Sequence, residues 1–529
     1  MTRKSTAPAN AAQPVSASGL PPGRDSRSRP DALLSSLETT GDGVITRATI
    51  QGAFEQAGLL LSDPRIQSVA GYLRHLRPDD AVDRLALWDT FEASNLSLVS
   101  RMLEGRLAVP DFIAFSRRLE TLFKDTAAIR QGDVADYIPQ LARVNPEAYA
   151  MSVCTVDGQR FSLGQADEPY CVQSTCKPIN YALALERLGV DKVHAHVGRE
   201  PSGQSFNELT LNAQGLPHNP MINAGAIMCA SLLDPQSTAA DRFDAVMRTW
   251  QRLAPGGMIG FDNAVFLSER DTADRNFALA YFMREKGAFE AGVDLKSALD
   301  LYFQCCSITV NAKSMGLVAA AFANGGICPV NGERVFSSET VKNCLSLMAS
   351  CGMYDFSGEY AFSVGLPAKS GVSGSMFIVV PGVCGIAIWS PRLDAVGNSV
   401  RGLAFSKGLT ENFAFHTYAD LLIENDRLNP RRRLAEVALD DSVQLCSAAA
   451  KGDLVELRRL IARGVDINRS DYDGRTALHL AASDGRTETV AFLLANGAEP
   501  TRRDRWNAMP SDDAEREGHA EIVRLLGQL

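Results

Sequence analysis

The spacing of hydrophobic residues divides most of this chain into a helical segment and a longer mixed segment. Between residues 31 and 126, apolar side chains recur at helical intervals, as in the runs Ile50 to Leu61 and Asp111 to Phe123. Residues 129–425 combine helical runs, such as Leu295 to Cys305, with short apolar runs typical of strands. The strand-like runs are Tyr149 to Thr155, Met376 to Val380 and Gly385 to Trp389. The pattern therefore predicts a small helical domain over 31–126 and one α/β domain over 129–425.

A longer repeat occupies the C-terminal residues 441–529. Three glycines recur at intervals of 33 residues, which is the ankyrin period, and Asp473 to His479 is similar to the ankyrin turn and helix-start signature. These glycines are Gly452, Gly485 and Gly518. The repeat predicts about two and a half all-α ankyrin units, in which His479 is a structural hydrogen-bonding residue. Because so few units are only marginally stable alone, we expect them to pack on another domain or subunit.

Two segments lack the pattern of a packed core. Residues 1–30 are rich in Ala, Pro, Ser and Arg, and their prolines and scarce large apolar residues predict a disordered tail. Residues 424–433 are polar and charged and include Pro430, which predicts a linker over 426–440. The tail also has some of the composition of an organelle presequence.

A loop in the helical domain is similar to a calcium-binding EF-hand loop. In the stretch from Glu38 to Ile45, Gly43 and Ile45 stand where such a loop needs them. Thr40, however, replaces an acidic ligand, and Thr49 occupies the position of the bidentate Glu. The sequence therefore predicts an EF-hand-like domain that does not bind calcium.

Composition narrows the class of protein. A chain of 529 residues is too long for a single core, and its formal net charge of -9 argues against a general nucleic-acid binder. No stretch approaches the roughly 20 apolar residues of a membrane span. The eleven cysteines show neither disulfide nor zinc spacing, and the seven histidines include no His-Glu-x-x-His pattern. We expect reduced thiols, no metal site and a cytosolic location, with the mitochondrial matrix as the alternative for a eukaryotic source.

The first candidate catalytic motif is Ser174-Thr175-Cys176-Lys177. The amphipathic run Ile179 to Leu188 follows, and Pro178 is tolerated in a helix only within the first turn. Ser174 is therefore predicted at a helix N-terminus, where it shares a face with Lys177. A buried lysine can lose its proton near neutral pH, and a helix N-terminus favours the negative charge that develops when a serine attacks a carbonyl. Alone, this tetrapeptide is more often a solvated helix face.

A second element supports a serine nucleophile with a lysine base. Lys369-Ser370-Gly371 precedes the strand-like run Met376 to Pro381. Penicillin-binding proteins and serine β-lactamases place a strand carrying Lys-Thr/Ser-Gly beside a Ser-x-x-Lys helix. Both elements occur here in the same order, and the chain has no phosphate-binding Gly-x-x-x-x-Gly-Lys loop and no Gly-x-Ser-x-Gly elbow.

Several polar, turn-rich stretches extend the pattern into a family resemblance. The α/β segment resembles the phosphate-activated glutaminases, serine-dependent enzymes of β-lactamase/transpeptidase-like fold that hydrolyse L-glutamine to L-glutamate and ammonia. The matching stretches are Asp136 to Leu141, Val156 to Arg160, Gln173 to Pro178, Asn219 to Ala226, Glu269 to Asn276, Cys351 to Gly358 and Gly365 to Gly374. The flanking helical and ankyrin segments resemble those of the long, animal-type members.

The resemblance implies a role for each matching residue. Ser174 is similar to the nucleophile, Lys177 to the base and Tyr354 to a tyrosine that hydrogen-bonds the serine and relays protons. The oxyanion hole of the family uses the backbone N–H groups of the nucleophile and of the residue matching Val372. Lys369 is expected to maintain local charge balance or loop geometry. The implied substrate-binding set is Tyr137, Ser174, Asn223, Glu269, Asn276, Tyr302, Tyr354 and Val372.

The family also implies a mode of assembly and regulation. Its members form homotetramers, as dimers of dimers with higher-order assembly in some cases, and are activated by inorganic phosphate through a loop that here reads Glu200 to Thr210. Animal members have basic residues where this chain has Ser205 and Glu208, and an aromatic residue at Thr210. The resemblance therefore implies inorganic phosphate as an activator, while these differences leave the phosphate dependence of this chain open. No cofactor is implied, and the ankyrin partner is unknown.

The sequence leaves three alternatives to a glutaminase open. A penicillin-binding or β-lactamase-like acyltransferase would share the Ser-Lys pair, but it would be exported and carry a Ser-Asp-Asn element. An amidase-signature enzyme would need a Gly/Ser-rich nucleophile loop. A catalytically silent scaffold could instead use the ankyrin repeats to bind a partner, although intact Ser174, Lys177 and Tyr354 argue against it.

Overall fold

The structure is a computed structural model that describes residues 44–203, 209–419, 427–430, 434–462 and 465–527, together with Leu34 and Leu37. The predicted disordered tail and most of the calcium-like loop lie outside the described residues. So do residues 204–208 in the middle of the predicted regulatory loop.

Residues 44–107 form helices around a core that includes Ile50, Phe54 and Phe91. The helices are α1 (Arg47–Gln56), α2 (Gln67–Leu73), α3 (Arg84–Glu92) and α4 (Leu96–Leu103), with a 3₁₀ turn at Pro64–Ile66. Helix α1 stops before the predicted end at Leu61, because Gly58 adopts a φ of +70° and turns the chain. The EF-hand resemblance of this domain stays a prediction.

The α/β domain contains two antiparallel sheets. The strands are β1 (Ala150–Thr155), β2 (Arg160–Gly164), β3 (Tyr170–Cys171), β4 (Ile259–Phe261), β5 (Ile308–Val310), β6 (Ala368–Ser370), β7 (Ser375–Val380) and β8 (Cys384–Trp389). The larger sheet has the order β2-β1-β8-β7-β6, and the smaller has the order β3-β5-β4. The three strand-like runs of the sequence thus become β1, β7 and β8, and Lys-Ser-Gly begins on β6, as predicted.

Helices surround these sheets. They are α5 (Phe112–Ala127), α6 (Pro139–Ala142), α7 (Lys177–Leu188), α8 (Val190–His194), α9 (Asn223–Leu232), α10 (Ala239–Leu253), α11 (Asn263–Asp271), α12 (Asp274–Glu285), α13 (Leu295–Cys306), α14 (Ala312–Ala323), α15 (Ser338–Cys351), α16 (Ser357–Ser363) and α17 (Val400–Asn412). The 3₁₀ turns Gln173–Cys176 and Tyr354–Phe356 lie among them.

The two faces of the larger sheet bury different helices, because successive strand residues point to opposite sides. Phe377 and Val379 of β7 pack in the core that contains α14, whereas Ile378 packs in the core that contains α5 and α17. Gly385 of β8 allows α14 to approach closely, since a Cβ there would lie 2.1 Å from the Ala320 nitrogen. The central strands are therefore buried on both faces, which explains their continuous apolar runs.

The sequence pattern groups helix α5 with the helical domain, but the structure packs it on the α/β domain. Its buried residues Phe115 and Leu119 pack with the sheet of the α/β domain and not with the core of α1 to α4. The Val156 to Arg160 turn then forms the seam between the domains. Within it, the buried Gln159 side chain donates to Ala57 O and Val109 O, both at 2.9 Å, and accepts from Val109 N at 3.1 Å.

Replacing Gln159 with methionine is expected to destabilise the protein by about 3 kcal/mol, because several buried backbone groups lose their hydrogen-bond partner at once. The free energy of unfolding, obtained from urea denaturation, measures the effect. Gln214→Met is the matched control, since Gln214 is exposed. Equal stability of the two variants would show that the Gln159 carboxamide does not hold this seam.

Helix pairs form the C-terminal repeats. They are α18 (Leu434–Lys451) with α19 (Leu454–Ala462), α20 (Ala477–Ser483) with α21 (Thr487–Ala495), and α22 (Pro510–Arg516) with α23 (Ala520–Leu526). The described residues therefore contain three helix pairs rather than two and a half. The first pair begins at Leu434, before the predicted boundary at residue 441, and the periodic Gly452 lies between its two helices. His479 is buried and lies 2.9 Å from Thr476 Oγ1 and 3.1 Å from Ala508 O, in the structural role that the sequence predicts.

The predicted linker is shorter than expected. Helix α18 already begins at Leu434, so the second half of 426–440 is helical. Leu428 packs against the α/β core and bridges to Phe413. Among the helices that the structure describes, none combines the length and apolar character needed to cross a bilayer.

Candidate active site

The Ser174 hydroxyl lies at a strained junction between a strand and a helix. Strand β3 ends at Cys171, the 3₁₀ turn Gln173–Cys176 carries Ser174, and α7 begins at Lys177. Gln173 adopts a φ of +48°, which costs a residue with a side chain on the order of 1–3 kcal/mol. The sequence correctly predicts Ser174 before a helix, but not this left-handed residue, which redirects the chain just ahead of the serine.

Lys177 holds Ser174 and Asn223 in one hydrogen-bonded group. Lys177 Nζ donates to Ser174 Oγ at 3.0 Å and to Asn223 Oδ1 at 2.6 Å. Asn223 Oδ1 also accepts from the Tyr302 hydroxyl at 3.1 Å, and Asn223 Nδ2 donates to Asn276 Oδ1 at 3.4 Å. The structure therefore brings together five residues that the sequence analysis selects from separate motifs.

Burial favours the neutral form of the Lys177 amine. Lys177 is only 1% exposed, and burial lowers the pKa of its amine, because a charged amine loses its hydration in the interior. A neutral amine has a lone pair that can accept the serine proton, while one of its N–H groups keeps the bond to Asn223. The geometry thus supplies a base next to a hydroxyl.

Tyr354 and Lys369 lie on the other side of Ser174. Tyr354 also has a positive φ, +53°, and its ring lies beneath Lys369 Nζ, 4.4 Å from the centroid. Burial raises the pKa of Tyr354, although its interaction with Ser174 acts in the opposite direction. Burial, and secondarily repulsion from Lys177, holds the pKa of Lys369 well below its usual range. Because two lysine amines share this buried space, a positive charge on one disfavours a positive charge on the other.

A backbone turn faces Ser174 from the end of β6. Gly374 N donates to Gly371 O at 2.9 Å and closes the turn from Gly371 to Gly374. A Cβ on Gly371 would lie 2.9 Å from Val172 O and 3.4 Å from Ser174 N, so only glycine allows this approach. Within residues 209–419, no backbone acceptor takes the N–H of Val372. The turn thus offers a hydrogen-bond donor near the serine.

A carboxylate lies at the far end of the site. Glu269 is 8% exposed, and its Oε1 accepts from Tyr137 at 2.5 Å and from Gln173 Nε2 at 3.0 Å. Burial raises the pKa of Glu269 despite these hydrogen bonds. A cationic ligand group would restore the charge balance here. The arrangement suits an ammonium group at this end and a carbonyl at the serine.

The sequence does not predict two features of the site: the contacts of Gln173 and the packing of Lys369 on the Tyr354 ring. Gln173 accepts from the Tyr137 hydroxyl at 3.4 Å and donates to Glu269, so it links two predicted substrate contacts. Its position next to Ser174 is the only sequence signal, because a non-glycine residue gives no hint of a positive φ. The contact of Lys369 with the Tyr354 ring joins two separate elements of the fold. The local sequence pattern therefore does not reveal it.

A possible metal-ligand group lies elsewhere. Among the described residues, His479, Asp504 and Asp513 bring ligand atoms within 4.8 Å of one another. Asp513 is engaged by Arg475 and Arg516, and Asp504 accepts from turn N–H groups. These residues therefore have structural partners within the repeats.

Comparisons with known proteins agree with this geometry. A family model described as Glutaminase matches residues 132–418, and one described as Ankyrin repeats (3 copies) matches residues 445–528. The liver isoform, mitochondrial, of glutaminase from Rattus norvegicus is 45% identical over 478 residues, covering 90% of this chain and 79% of the relative.

Solved structures show the same fold for the α/β domain. A protein described as probable glutaminase ybaS matches with a TM-score of 0.55 at 34% identity, covering 57% of this chain and 97% of that one. A probable glutaminase from Bacillus subtilis, complexed with 6-diazo-5-oxo-L-norleucine, matches with a TM-score of 0.50 at 31% identity, covering 57% and 94%.

These matches confirm the resemblance found in the sequence. The family model covers more than half of the chain, and the rat relative extends over the flanking segments as well. The domain has the β-lactamase-like fold expected from the two motifs, and three ankyrin repeats follow it. The chain therefore belongs to the glutaminase family.

Proposed function

We propose that this chain hydrolyses L-glutamine to L-glutamate and ammonia by way of a γ-glutamyl ester on Ser174. The observation that carries the proposal is the 3.0 Å contact of Lys177 Nζ with Ser174 Oγ, in a buried site where the amine pKa is lowered. A serine and a base within hydrogen-bond reach form the usual signature of an activated nucleophile.

In the first step, Lys177 takes the Ser174 proton as Oγ attacks the side-chain amide carbon of glutamine. The carbonyl π bond becomes an oxyanion, which the backbone N–H groups of Ser174 and Val372 stabilise. Donors placed for this developing charge act mainly on the transition state and therefore raise kcat more than they tighten binding.

In the second step, the proton passes to the amide nitrogen, the C–N bond breaks and ammonia leaves. Tyr354 lies beside Ser174 and can relay this proton. The γ-glutamyl ester remains on Oγ. Water then attacks the ester carbon and gives a proton to Lys177. The ester bond breaks as Lys177 returns this proton to Ser174 Oγ, which releases glutamate and restores the serine hydroxyl.

The other groups orient the free amino acid. Glu269 takes the α-ammonium group, and Tyr137 and Gln173 hold that carboxylate in place. Asn223, Asn276 and Tyr302 supply neutral donors for the α-carboxylate. An anion for the α-ammonium group and neutral donors for the α-carboxylate on the same carbon select a free amino acid over a peptide glutamine.

Glu269→Gln is expected to raise the KM for L-glutamine about a hundredfold, because the variant leaves the α-ammonium group unpaired in a buried site. Steady-state ammonia release measures it, and Glu285→Gln is the control, since Glu285 is largely exposed. An unchanged KM accompanied by a lower kcat would place Glu269 in the chemistry and not in ammonium recognition.

The function is tested by ammonia and glutamate release from L-glutamine by the purified full chain, with L-asparagine and a β-lactam as competing substrates. Release from L-glutamine supports the proposal. A folded protein that hydrolyses only the β-lactam, or nothing, would favour the acyltransferase or scaffold alternative instead. The same assay with and without inorganic phosphate tests our inference that the substitutions at Ser205 and Glu208 weaken activation by this anion.

Assembly and location are further parts of the proposal. We infer a homotetramer, which light scattering of the full chain measures directly, with the ankyrin repeats free to engage another subunit or protein. The rat relative is named as mitochondrial, which favours the matrix over the cytosol for a eukaryotic source. Imaging of the full chain with a C-terminal tag distinguishes these compartments.

A further inference from the structure

The turn that faces Ser174 is fixed by a side chain from outside both catalytic motifs. Trp389 is the last residue of β8, and its indole Nε1 donates to Ser373 O at 3.1 Å. Ser373 follows Val372 in the turn. One side-chain hydrogen bond thus ends on the Ser373–Gly374 peptide, two peptide bonds after the one that carries the proposed oxyanion donor.

The indole is itself held rigidly. Trp389 is 5% exposed and pairs with Ala150 of β1 on one side and Ser375 of β7 on the other. The Tyr170 ring stacks on the indole at 5.1 Å with an interplanar angle of 13°. The donor therefore lies on the central strand of the larger sheet, which is hydrogen-bonded on both sides.

The rest of the turn depends on few contacts. Gly371 N donates to Ser375 O at 2.8 Å, Gly374 N to Gly371 O at 2.9 Å, and Ser390 N to Gly374 O at 3.0 Å. The Gly374 N–H belongs to the same peptide as Ser373 O, and Gly371 O belongs to the same peptide as the Val372 N–H. The indole bond therefore connects to the Val372 N–H through the bond from Gly374 N to Gly371 O. Without the indole bond, the Ser373 carbonyl would lose its buried donor. The Ser373–Gly374 peptide, which holds Gly371 O and with it the Val372 N–H, could then rotate.

We propose that Trp389 is a positioning residue for catalysis, which fixes the Val372 N–H for the oxyanion through its hydrogen bond to Ser373 O. The inference rests on the proposed function, since it assigns the turn to oxyanion stabilisation. It also separates two roles of one residue: the ring contributes to the core, and the N–H contributes to rate.

A second tryptophan provides a matched control. Trp250 of α10 is fully buried in the same core, and among the described residues its Nε1 has no hydrogen-bond partner. Phenylalanine at either position removes the same atoms and leaves a similar gap. Only the change at position 389 removes a hydrogen bond to the turn.

The test compares Trp389→Phe with Trp250→Phe in the full chain, by kcat, KM for L-glutamine, the pH profile and the Tm. We expect Trp389→Phe to lower kcat about tenfold with KM within about twofold and an unchanged pH profile, because an oxyanion donor acts in the transition state. Trp250→Phe should keep kcat while its Tm falls comparably.

Equal kcat values for the two variants would overturn the proposal, and so would a rise in KM that accounts for the whole loss. If Trp389→Phe does not fold, Tyr170→Leu removes the ring that orients the indole, and an unchanged kcat in that variant would also overturn it. Failure of the proposed function is distinguishable, because wild type would then release no more ammonia than Ser174→Ala.

Discussion

Ser174→Ala is expected to lower kcat for L-glutamine by about 10⁴-fold or more, with little change in Tm. Loss of a nucleophile leaves only the residual rate from substrate binding and oxyanion stabilisation. The Ser174 hydroxyl contacts Lys177, but alanine fits the same turn and leaves no buried charge if the amine is neutral. Ammonia release under saturating substrate measures the loss.

Ser231→Ala is the control for this change. Ser231 is also buried in the α/β domain, but its hydroxyl donates to Met228 O within α9. The activity of Ser231→Ala should match that of wild type. If Ser174→Ala keeps more than about a hundredth of the wild-type kcat, a different group must attack the amide.

Lys177→Met is expected to lower kcat about 10³-fold, because general-base assistance contributes about 10²–10⁴-fold. The variant should be at least as stable as wild type, since methionine removes an amine whose charged form is disfavoured by burial. Lys177→Arg is the informative comparison. It keeps a cation but stays protonated, so it should be equally inactive.

The pH profile identifies the base. Lys177 acts only when neutral, so kcat/KM of wild type should rise as pH rises through the Lys177 pKa, which burial moves below its usual range. This rising limb should disappear in Lys177→Met and persist in Lys369→Met. Lys369 is the right control because burial also lowers its pKa, yet its amine donates to Ser370 O and lies over the Tyr354 ring. A limb lost only in Lys369→Met would reassign the base.

Much of the architecture follows from local pattern. The continuous apolar runs become β7 and β8 because both of their faces are buried, and the period of 33 residues predicts the ankyrin packing before any contact is known. Ser174 and Lys177 are recognisable because their spacing is fixed by one helical turn. The start of the first ankyrin pair at Leu434, ahead of the predicted boundary at residue 441, is not predicted, because the periodic glycine marks the turn between its helices and not where the first helix begins.

The rest depends on contacts distant in sequence. Lys177 meets Asn223, and Tyr137 meets Glu269, only after strands and helices from separate segments pack together. The left-handed conformations of Gln173 and Tyr354 are imposed by that packing, since neither residue favours a positive φ. For the same reason, the contact between Trp389 and the oxyanion turn has no local signature.

The most direct test of the central claim is the site of covalent attachment during turnover. The full chain is mixed with a slowly deacylating γ-glutamyl ester, quenched in acid and digested, and its peptides are examined by mass spectrometry. The account predicts one γ-glutamyl group on the peptide containing Ser174, absent from Ser174→Ala and formed more slowly in Lys177→Met. Attachment to a different residue, or turnover of wild type with no attachment under conditions that should accumulate it, would contradict a Ser174 nucleophile.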